Sequence, residues 1–479
     1  MERKIIGRKS HLKTISEIMS NGQSSMVAVT GRRRVGKTFL IDQAMKRDMV
    51  FRMTGIQNGS MKEQLYNFIE KLKECTGAPF LATPKNWQEA FMILKKYLAS
   101  LPPEKIKVIF FDELPWIHTA RSGFLEKLAH LWNDYLSKNG NFKIIICGSA
   151  SSWINEKVIM ATGGLHNRVT HILKIEPFDL SEVKLFLKNK GIRLSHQDLT
   201  RIYMVMGGIP YYLEHLRRGE SAAVAIERMC FHSGGLLRQE YKYLFRALFQ
   251  GASDHESIVK SLAGSRGGIT RDEIIKKSGV KAGGPYSRAM EDLILSGFVS
   301  EENLFGRKKR GSLYRLTDEY SIFYNRFIKP NNKYVKGMWQ QLSSSQVFKI
   351  WSGYAFEALC FKHIDAIKKV MGISAVYTEI SSMRVPGNKD QKGFQIDLII
   401  DRKDETINLC EIKYYGGPFK ITKSYALQLI ERRQQFIEYT GTRKQVFITF
   451  ITNYGIAENE YSTEVVDAHI SLSDLLQEV

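Results

Sequence analysis

The sequence predicts a multidomain α/β protein whose first part is a parallel β-sheet covered by helices on both faces. Three observations lead to this prediction: a glycine-rich loop between an apolar strand and a helix, an alternation of strands and helices up to Ile175, and a second strand-rich segment near the end. The chain has 479 residues, 43% of them hydrophobic. This length exceeds one ordinary hydrophobic core, so we expect about three domains.

The glycine-rich loop reads GRRRVGKT and runs from Gly31 to Thr38, between the apolar run Met26–Thr30 and the helical run Phe39–Ala44. It fits the pattern GxxxxGK[ST], whose backbone N–H groups and helix N-terminus attract phosphate. We expect it to bind ATP, with its lysine at the β- and γ-phosphates and its threonine on Mg²⁺. The predicted nucleotide contacts of the loop are Gly31, Arg34, Val35, Gly36, Lys37, Thr38 and Phe39.

Two acids follow a second apolar strand, which begins at Lys107. Asp112 is expected to bind the Mg²⁺, and Glu113 to orient or deprotonate the attacking water, with Lys37 as the other catalytic residue. ATP hydrolysis is therefore the predicted chemistry. Ser149, at the end of the strand that starts at Phe142, is either a sensor of the γ-phosphate or part of an ordinary turn.

The chain is strongly basic, with 70 Lys and Arg against 49 Asp and Glu, a formal net charge of +21 and a pI near 9.5. This excess favours a polyanionic partner, and DNA is the partner we expect. A membrane would attract the same charge, but there is neither a long apolar run nor a lipidation motif, so no membrane partner is expected. The five cysteines are scattered and the start lacks the apolar stretch of a signal peptide, which favours a reduced, cytoplasmic protein.

The chain is expected to divide into five segments. They are a phosphate-loop core at 1–177, a helical lid at 178–235, a winged helix-turn-helix at 236–330, a linker at 331–345 and a second α/β domain at 346–479. The lid is predicted to break at Gly207-Gly208-Ile209-Pro210, because a Gly-Gly-x-Pro step cannot continue a helix.

The winged segment is predicted from the order of its elements. Thr270 and Glu273 have the spacing of a capping box, and a turn from Gly279 to Gly284 leads to a second helix. Two strands then flank a basic tip formed by Arg307, Lys308, Lys309 and Arg310. In such a fold the second helix can enter a major groove and the tip can contact phosphates, although winged helices also serve as protein-interaction modules.

A second set of polar residues lies near the end of the chain. Asp397 is on one predicted strand, and Glu411 and Lys413 share a face of the next, so an antiparallel pairing brings them together. Glu357, on a preceding helix, completes the acidic set. We expect Glu357, Asp397 and Glu411 to bind Mg²⁺ or Mn²⁺ and Lys413 to stabilise a transition state; the open alternative is a structural ion-pair network.

The first half of the chain resembles the AAA+ and STAND branch of ATPases, and more narrowly a family of prokaryotic ATPases first noticed in archaeal genomes. The matching stretches are Ile6-Gly7-Arg8, GRRRVGKT at 31–38, FFDE at 110–113, CGSAS at 147–151 and GGIPYYL at 207–213. The resemblance implies that Arg8, Ile209 and Pro210 lie around the adenine and ribose. It also implies that Arg168 reaches the γ-phosphate of a neighbouring chain, which would require a homo-oligomer.

The C-terminal part is similar to PD-(D/E)XK nucleases, through Glu357, Asp397, Glu411 and Lys413. The expected fold class is thus α/β, with a P-loop AAA+/STAND-like sheet, a helical lid, a winged helix-turn-helix and a restriction-endonuclease-like domain. Two functions remain open: an ATP-regulated, metal-dependent DNA nuclease, or a non-catalytic nucleotide switch whose nuclease-like domain binds a partner or nucleic acid.

Overall fold

The computed structural model describes residues 4–249, 251–265, 268–302, 304–306, 312–333, 335–387 and 393–476. The chain forms two compact units, of which the first comprises the chain up to Pro177 and the second nearly all of the rest. No helix in these described ranges is long and apolar enough to cross a membrane.

The first unit is built on a parallel five-stranded sheet. Its strands are β1 (Ser25–Thr30), β2 (Met49–Thr54), β3 (Lys107–Asp112), β4 (Phe142–Cys147) and β5 (His171–Lys174). They lie in the order β2-β3-β4-β1-β5, and every residue of β1, β3 and β4 is buried, as expected of a parallel sheet covered on both faces. The predicted parallel sheet is therefore confirmed, and the carboxyl ends of its central strands meet at one edge.

Helices surround this sheet. They are α1 (Lys9–Ser20), α2 (Lys37–Ala44), α3 (Met61–Thr76), α4 (Trp87–Ser100), α5 (Leu114–Ile117), α6 (Phe124–Leu131) and α7 (Ser151–Ile154). Helix α3 begins at a capping box, in which Ser60 and Glu63 each accept a hydrogen bond from the other's backbone N–H. Asn86 caps α4 in a similar way, so local side chains define both helix starts.

An aromatic cluster holds α3 and α4 against the sheet. Phe68 lies 5.0 Å from Phe51 of β2, and Trp87 meets Phe124 edge to face at 4.7 Å, measured between ring centroids. Phe111 of β3 joins them, and all five rings are buried. Edge-to-face contacts of this kind add to the hydrophobic gain of burial. The segment inserted between the loop and β3 is thus part of the core.

The second unit begins with helices and ends in a mixed α/β layer. The helices after Pro177 are α8 (Leu180–Asn189), α9 (His196–Met206), α10 (Pro210–Glu214), α11 (Ala222–Ile226), α12 (Leu236–Leu248), α13 (Ser253–Ala263), α14 (Arg271–Ser278), α15 (Gly284–Leu295), α16 (Glu319–Phe323), α17 (Met338–Ser343), α18 (Gln346–Lys362), α19 (Ile364–Val370), α20 (Lys423–Thr440), α21 (Glu460–Val465) and α22 (Leu472–Leu475). The last residue of α12 and the end of α15 are grouped with the first unit.

Three β-structures lie among these helices. The strands are β6 (Val299–Glu302), β7 (Leu313–Leu316), β8 (Thr378–Val385), β9 (Phe394–Arg402), β10 (Thr406–Lys413), β11 (Phe419–Lys420), β12 (Gln445–Thr452), β13 (Ile456–Ala457) and β14 (Ala468–Ser471). Strands β6 and β7 form an antiparallel pair, and β11 and β13 a short parallel one. The larger sheet has the order β14-β12-β10-β9-β8, with β8, β9 and β10 antiparallel and β10, β12 and β14 parallel.

The predicted linker at 331–345 contains helix α17, and that helix is packed. Trp339 is buried, stacks on Phe231 at 6.0 Å and meets Phe348 edge to face at 5.2 Å. Its backbone N–H donates to the carboxylate of Glu227 at 2.7 Å. This stretch is not an extended connection, because the indole of Trp339 is buried among aromatic rings and holds the helix in place. The other predicted boundaries after Phe178 stay predictions.

The early helices of the second unit are joined to α18. The ring of His363, which follows α18, accepts a hydrogen bond from the N–H of Leu180 at 2.9 Å through Nε2, and its Nδ1 donates to the carbonyl of Leu359 at 2.8 Å. Lys362 pairs with the buried carboxylate of Glu319 at 2.6 Å. A Cβ at Gly207 would lie 2.7 Å from that same carboxylate, so the turn after α9 packs closely on it.

Phe68→Ala should lower the free energy of unfolding by about 3–5 kcal/mol, since the ring is fully buried among aromatic neighbours that cannot fill the space. Chemical denaturation measures this change. The matched control is Phe80→Ala, because the side chain of Phe80 is 96% exposed. Equal losses in the two variants would contradict the assigned core.

Candidate active sites

The glycine-rich loop between β1 and α2 has a conformation that only glycine allows at its first position. Gly31 has a φ of +132°, and a Cβ there would lie 2.1 Å from the carbonyl oxygen of Ile175. Gly36 has a φ of +89°, and Arg34 is also in the left-handed region, at +72°. The loop therefore turns tightly back on itself before α2 begins. The N-terminus of α2 consequently faces the hollow that the loop encloses.

Lys37 fills that hollow. Its ammonium donates to the carbonyl of Gly31 at 2.7 Å and to that of Arg32 at 3.0 Å, and the residue is only 6% exposed. Burial lowers the pKa of Lys37, while the nearby Cys147, Glu113 and Asp112 act in the opposite direction. The cation is thus held within the loop that the sequence assigned to the phosphates.

Thr38 and Asp112 come together next to this lysine. The hydroxyl of Thr38 donates to Oδ2 of Asp112 at 3.0 Å, across the edge where β1 and β3 end. A hydroxyl and a carboxylate are the hard oxygen donors that Mg²⁺ takes beside nucleotide phosphates, so this pair fits the ion. When bound, the ion would neutralise charge on those phosphates.

Glu113 is held by Ser149. The backbone N–H of Ser149 donates to Oε2 of Glu113 at 3.0 Å, and its hydroxyl donates to Oε1 at 2.5 Å. Glu113 itself has a φ of +49°, which is rare for a residue with a side chain. In this arrangement Ser149 contacts the predicted catalytic carboxylate.

The other residues of the first unit that were predicted to act on the nucleotide lie at three separate places. Arg8, buried, donates to the carbonyl of Val35 at 3.0 Å and to that of Glu176 at 2.5 Å, so it supports the loop from behind. Phe39 is half-buried on the first turn of α2. Arg168 is exposed in the turn before β5.

Ile209 and Pro210 belong to the second unit, where Pro210 is the first residue of α10 and Ile209 is buried. The N–H of Phe178 donates to the carbonyl of Gly208 at 2.7 Å, and a Cβ at Gly208 would lie 1.7 Å from the carbonyl of Phe178. The turn is therefore fixed against the start of its own unit. The adenine contacts assigned to Arg8, Ile209 and Pro210, and the action of Arg168 in trans, stay predictions.

The second candidate site lies where β9 and β10 pair. The register pairs Cys410 with Leu398, and Glu411 and Asp397 are the residues next to this pair. Oδ2 of Asp397 accepts from the N–H of Ile412 at 3.3 Å, and Lys413 pairs with Oε1 of Glu411 at 2.6 Å. The structure thus brings these predicted residues of two strands together.

The pKa values of the carboxyl groups show how crowded this site is. Burial, and then the neighbouring Asp397, raise the pKa of Glu357 on α18 to about 8. Burial and Glu411 raise the pKa of Asp397 to about 6. Burial alone would also raise the pKa of Glu411, but the charges of Lys413 and Arg432 outweigh it and leave the pKa below its ordinary value.

Two residues of this site were missed in the sequence. On α20, Tyr425 donates to Oε1 of Glu411 at 2.5 Å, and Arg432 donates to Oε2 at 2.5 Å. They are seven residues apart, and so share one face of a helix that follows the acid-x-Lys strand. That spacing was the available signal, but it does not reveal which strand the helix covers.

Carboxylate oxygens are the ligands that Mg²⁺ and Mn²⁺ prefer, so the donors here have suitable chemistry. Within the part of the chain that the structure describes, however, no group of three or more His, Cys, Asp or Glu is arranged to hold a metal. Both oxygens of Glu411 already accept hydrogen bonds from Tyr425, Lys413 and Arg432. A cation between Asp397 and Glu411 would therefore have to displace some of these partners.

The basic tip predicted to contact DNA, Arg307, Lys308, Lys309 and Arg310, lies outside the described residues.

Comparison with known proteins decides the chemistry of the first site. Residues 6–216 match a family model described as an ATPase domain predominantly from Archaea. These residues form an ATPase domain. The match includes the loop of Gly31, the acids of β3 and the Gly-Gly-x-Pro turn, so the predicted ATPase activity is confirmed.

Longer similarities cover most of the chain at low identity. An uncharacterized protein of Methanocaldococcus jannaschii is 25% identical over 418 residues, which is 85% of this chain and 87% of that protein. The Walker-type ATPase of Pyrococcus abyssi is 18% identical with a TM-score of 0.49, covering 67% of this chain and 96% of its own. The ORC2 protein of Aeropyrum pernix is 16% identical with a TM-score of 0.43, covering 72% and 98%.

Gly31→Ala should remove ATP binding by the ATPase domain, because the new methyl group would collide with the backbone of Ile175 and displace the loop. Titration of a fluorescent ATP analogue measures this. Gly163→Ala is the matched control, since a Cβ there meets nothing within 4 Å. An affinity in Gly31→Ala within about twofold of the control would show that the loop tolerates the displacement, contrary to this expectation.

Ser149→Ala should lower the kcat of ATP hydrolysis by about tenfold and leave ATP affinity nearly unchanged, since Glu113 loses the hydroxyl contact and is held only by the backbone N–H of residue 149. Steady-state hydrolysis and nucleotide titration separate the two effects. Glu113→Gln, which should bind ATP and turn over more slowly still, gives the reference. A loss of affinity with normal kcat would instead assign Ser149 to direct contact with phosphate.

Proposed function

We propose that this protein is an ATP-hydrolysing, DNA-binding protein whose nucleotide state regulates a metal-dependent DNA nuclease site. The observation that carries the proposal is the convergence of Asp397, Glu411, Lys413 and Glu357 on one buried spot of the second unit. The ATPase domain supplies the nucleotide-dependent part.

The architecture around this spot supports a nuclease-like domain at 346–479. Helix α18 precedes three antiparallel strands, β8 to β10, and α20 then leads to the parallel strand β12. Acids on adjacent strands with a lysine two residues further on are the arrangement by which PD-(D/E)XK nucleases hold a phosphodiester and a hard cation. The crowded carboxyl groups, with the pKa of Glu357 at about 8, are where a cation would relieve repulsion.

The charge of the chain and the segment 253–316 support a DNA partner. Helices α13, α14 and α15 precede the antiparallel pair β6 and β7, which is the order of a winged helix-turn-helix. Lys281, just before α15, and Arg288 on it are both exposed, so this helix offers positive charge to a groove. The basic residues Arg307 to Arg310 are the proposed phosphate contact.

Contacts within the second unit support regulation by nucleotide. Helix α9 packs against α16 and α18, and His363 joins the start of α8 to the end of α18. Because α18 also carries Glu357, a movement of the predicted lid that shifts α18 would change the position of Glu357 in the carboxylate cluster. An active oligomer, with Arg168 acting on the nucleotide of a neighbouring chain, is part of this proposal.

One observation favours a second function, a nucleotide switch that does not cut. Glu411 has both oxygens engaged by Lys413, Arg432 and Tyr425, which is how a structural ion-pair network is satisfied. In that case the C-terminal domain binds DNA or a partner, and ATP controls only this binding.

Cleavage assays with Mg²⁺ or Mn²⁺ test the proposal on single-stranded, duplex and branched DNA, with and without ATP. Asp397→Ala, Glu411→Ala and Lys413→Ala should each abolish cleavage, while ATP hydrolysis continues because its residues lie in the first unit. The control is Glu431→Ala, an exposed acid of α20. Absence of cleavage by the unaltered protein, with DNA binding in a gel-shift assay that changes on addition of ATP, would establish the switch instead.

A further inference from the structure

A cavity of about 280 Å³ lies within the second unit, and no residue of β9 or β10 lines it. It is lined by the end of α13, strand β7, the segment after α16 and part of α18. Arginine side chains share this lining with apolar and aromatic ones. A concave space with mixed lining is typical of a small-molecule site, because apolar walls bind a ligand's body and a few polar groups orient it.

Two arginines supply the charge of this cavity. Arg315 of β7 is fixed, since its guanidinium pairs with Glu302 at 2.7 Å and lies 5.1 Å above the ring of Phe361. Arg326, after α16, is exposed, and its side chain has no hydrogen bond or ion pair with any residue in the described ranges. One guanidinium is therefore already compensated, and the other is available to an anion. Guanidinium groups bind phosphate through paired N–H donors.

Another part of the lining is aromatic and apolar. It includes Trp351 and Tyr354 of α18, the small side chain of Ala355 on the same helix, and Leu262 of α13. Trp351 is buried and held edge to face by Phe323 and Phe327, at 5.4 and 5.3 Å between centroids, so this wall is rigid. Flat rings of this kind stack on planar bases.

From this combination we infer that the cavity binds a nucleoside 5′-phosphate, with the base against Trp351 and Tyr354 and the phosphate at Arg326. Such a group comes either from a free nucleotide or from the phosphorylated end of a DNA strand, and the second source rests on the proposed function. The wall helix α18 also carries Glu357, directly before the cavity residue Ala358. Occupation of the cavity therefore bears on the helix that contributes to the carboxylate cluster.

Titration calorimetry with thymidine 5′-monophosphate tests this, using the full chain with Lys37→Ala so that the loop of the ATPase domain does not compete. We expect binding of the monophosphate and at least about tenfold weaker binding of thymidine, which lacks the phosphate. Arg326→Gln should weaken the binding of the monophosphate by about tenfold or more, and Ala355→Leu should also weaken this binding, because the larger side chain fills the cavity. Arg193→Gln, an exposed arginine outside the cavity, should have no effect.

Binding that is absent at millimolar monophosphate, or that is unchanged by both Arg326→Gln and Ala355→Leu, would overturn the inference. Competition by oligonucleotides then identifies the source. Displacement by a 5′-phosphorylated strand and not by its 5′-hydroxyl counterpart assigns the site to DNA ends. Displacement by neither supports a free nucleotide as the ligand, and that result holds even if the protein proves not to bind or cut DNA.

Discussion

Both candidate sites depend on a constraint of sheet geometry: side chains at the ends of adjacent strands emerge at the same edge. In the first unit β1, β3 and β4 are parallel and buried along their whole length, so their carboxyl ends lie at one edge of the sheet. The glycine-rich loop, Asp112, Glu113 and Ser149 lie at these ends and are therefore close together. In the second unit β9 and β10 pair antiparallel, and Asp397 accepts a hydrogen bond from the N–H of Ile412, next to Glu411. Polar chemistry is thus concentrated where the backbone requires it.

Burial then determines how these polar groups are satisfied. Lys37 binds carbonyls of its own loop, Glu113 binds Ser149, and Glu411 binds two cations and a hydroxyl. An uncompensated charge at any of these positions would be costly, since a carboxylate or ammonium removed from water needs a partner. Nucleotide therefore enters the first site by exchanging partners with groups that already have them, and any ligand of the second site would have to do the same. The affinity for a ligand therefore reflects the free energy of its contacts with the protein minus that of the internal contacts it replaces.

The parts that could be predicted from the sequence are those whose signal is local. The strand, loop and helix around Gly31 and the acids that end β3 were found from adjacent residues, and the parallel sheet followed from the alternation of elements. The contacts of Tyr425 and Arg432 with Glu411 could not be predicted, because the residues on one face of a helix do not indicate which strand that face covers. For the same reason, Ser149 was assigned to phosphate or to a turn, whereas its partner is a side chain 36 residues away. The helix in 331–345 was missed because its stability comes from Trp339 packing on distant rings and not from its own composition.

The partners of Glu411 also bear on how such a protein can evolve. Because Lys413, Arg432 and Tyr425 balance this carboxylate from within the chain, the domain has no need of a cation to hold its strands and α20 together. A descendant that lost Asp397 would keep these contacts of Glu411 and, with them, its architecture. Gly31 offers no such route, since any side chain there strikes the backbone of Ile175. One site can thus decay while its fold survives, whereas at the other site sequence drift is blocked by the shape of the loop itself.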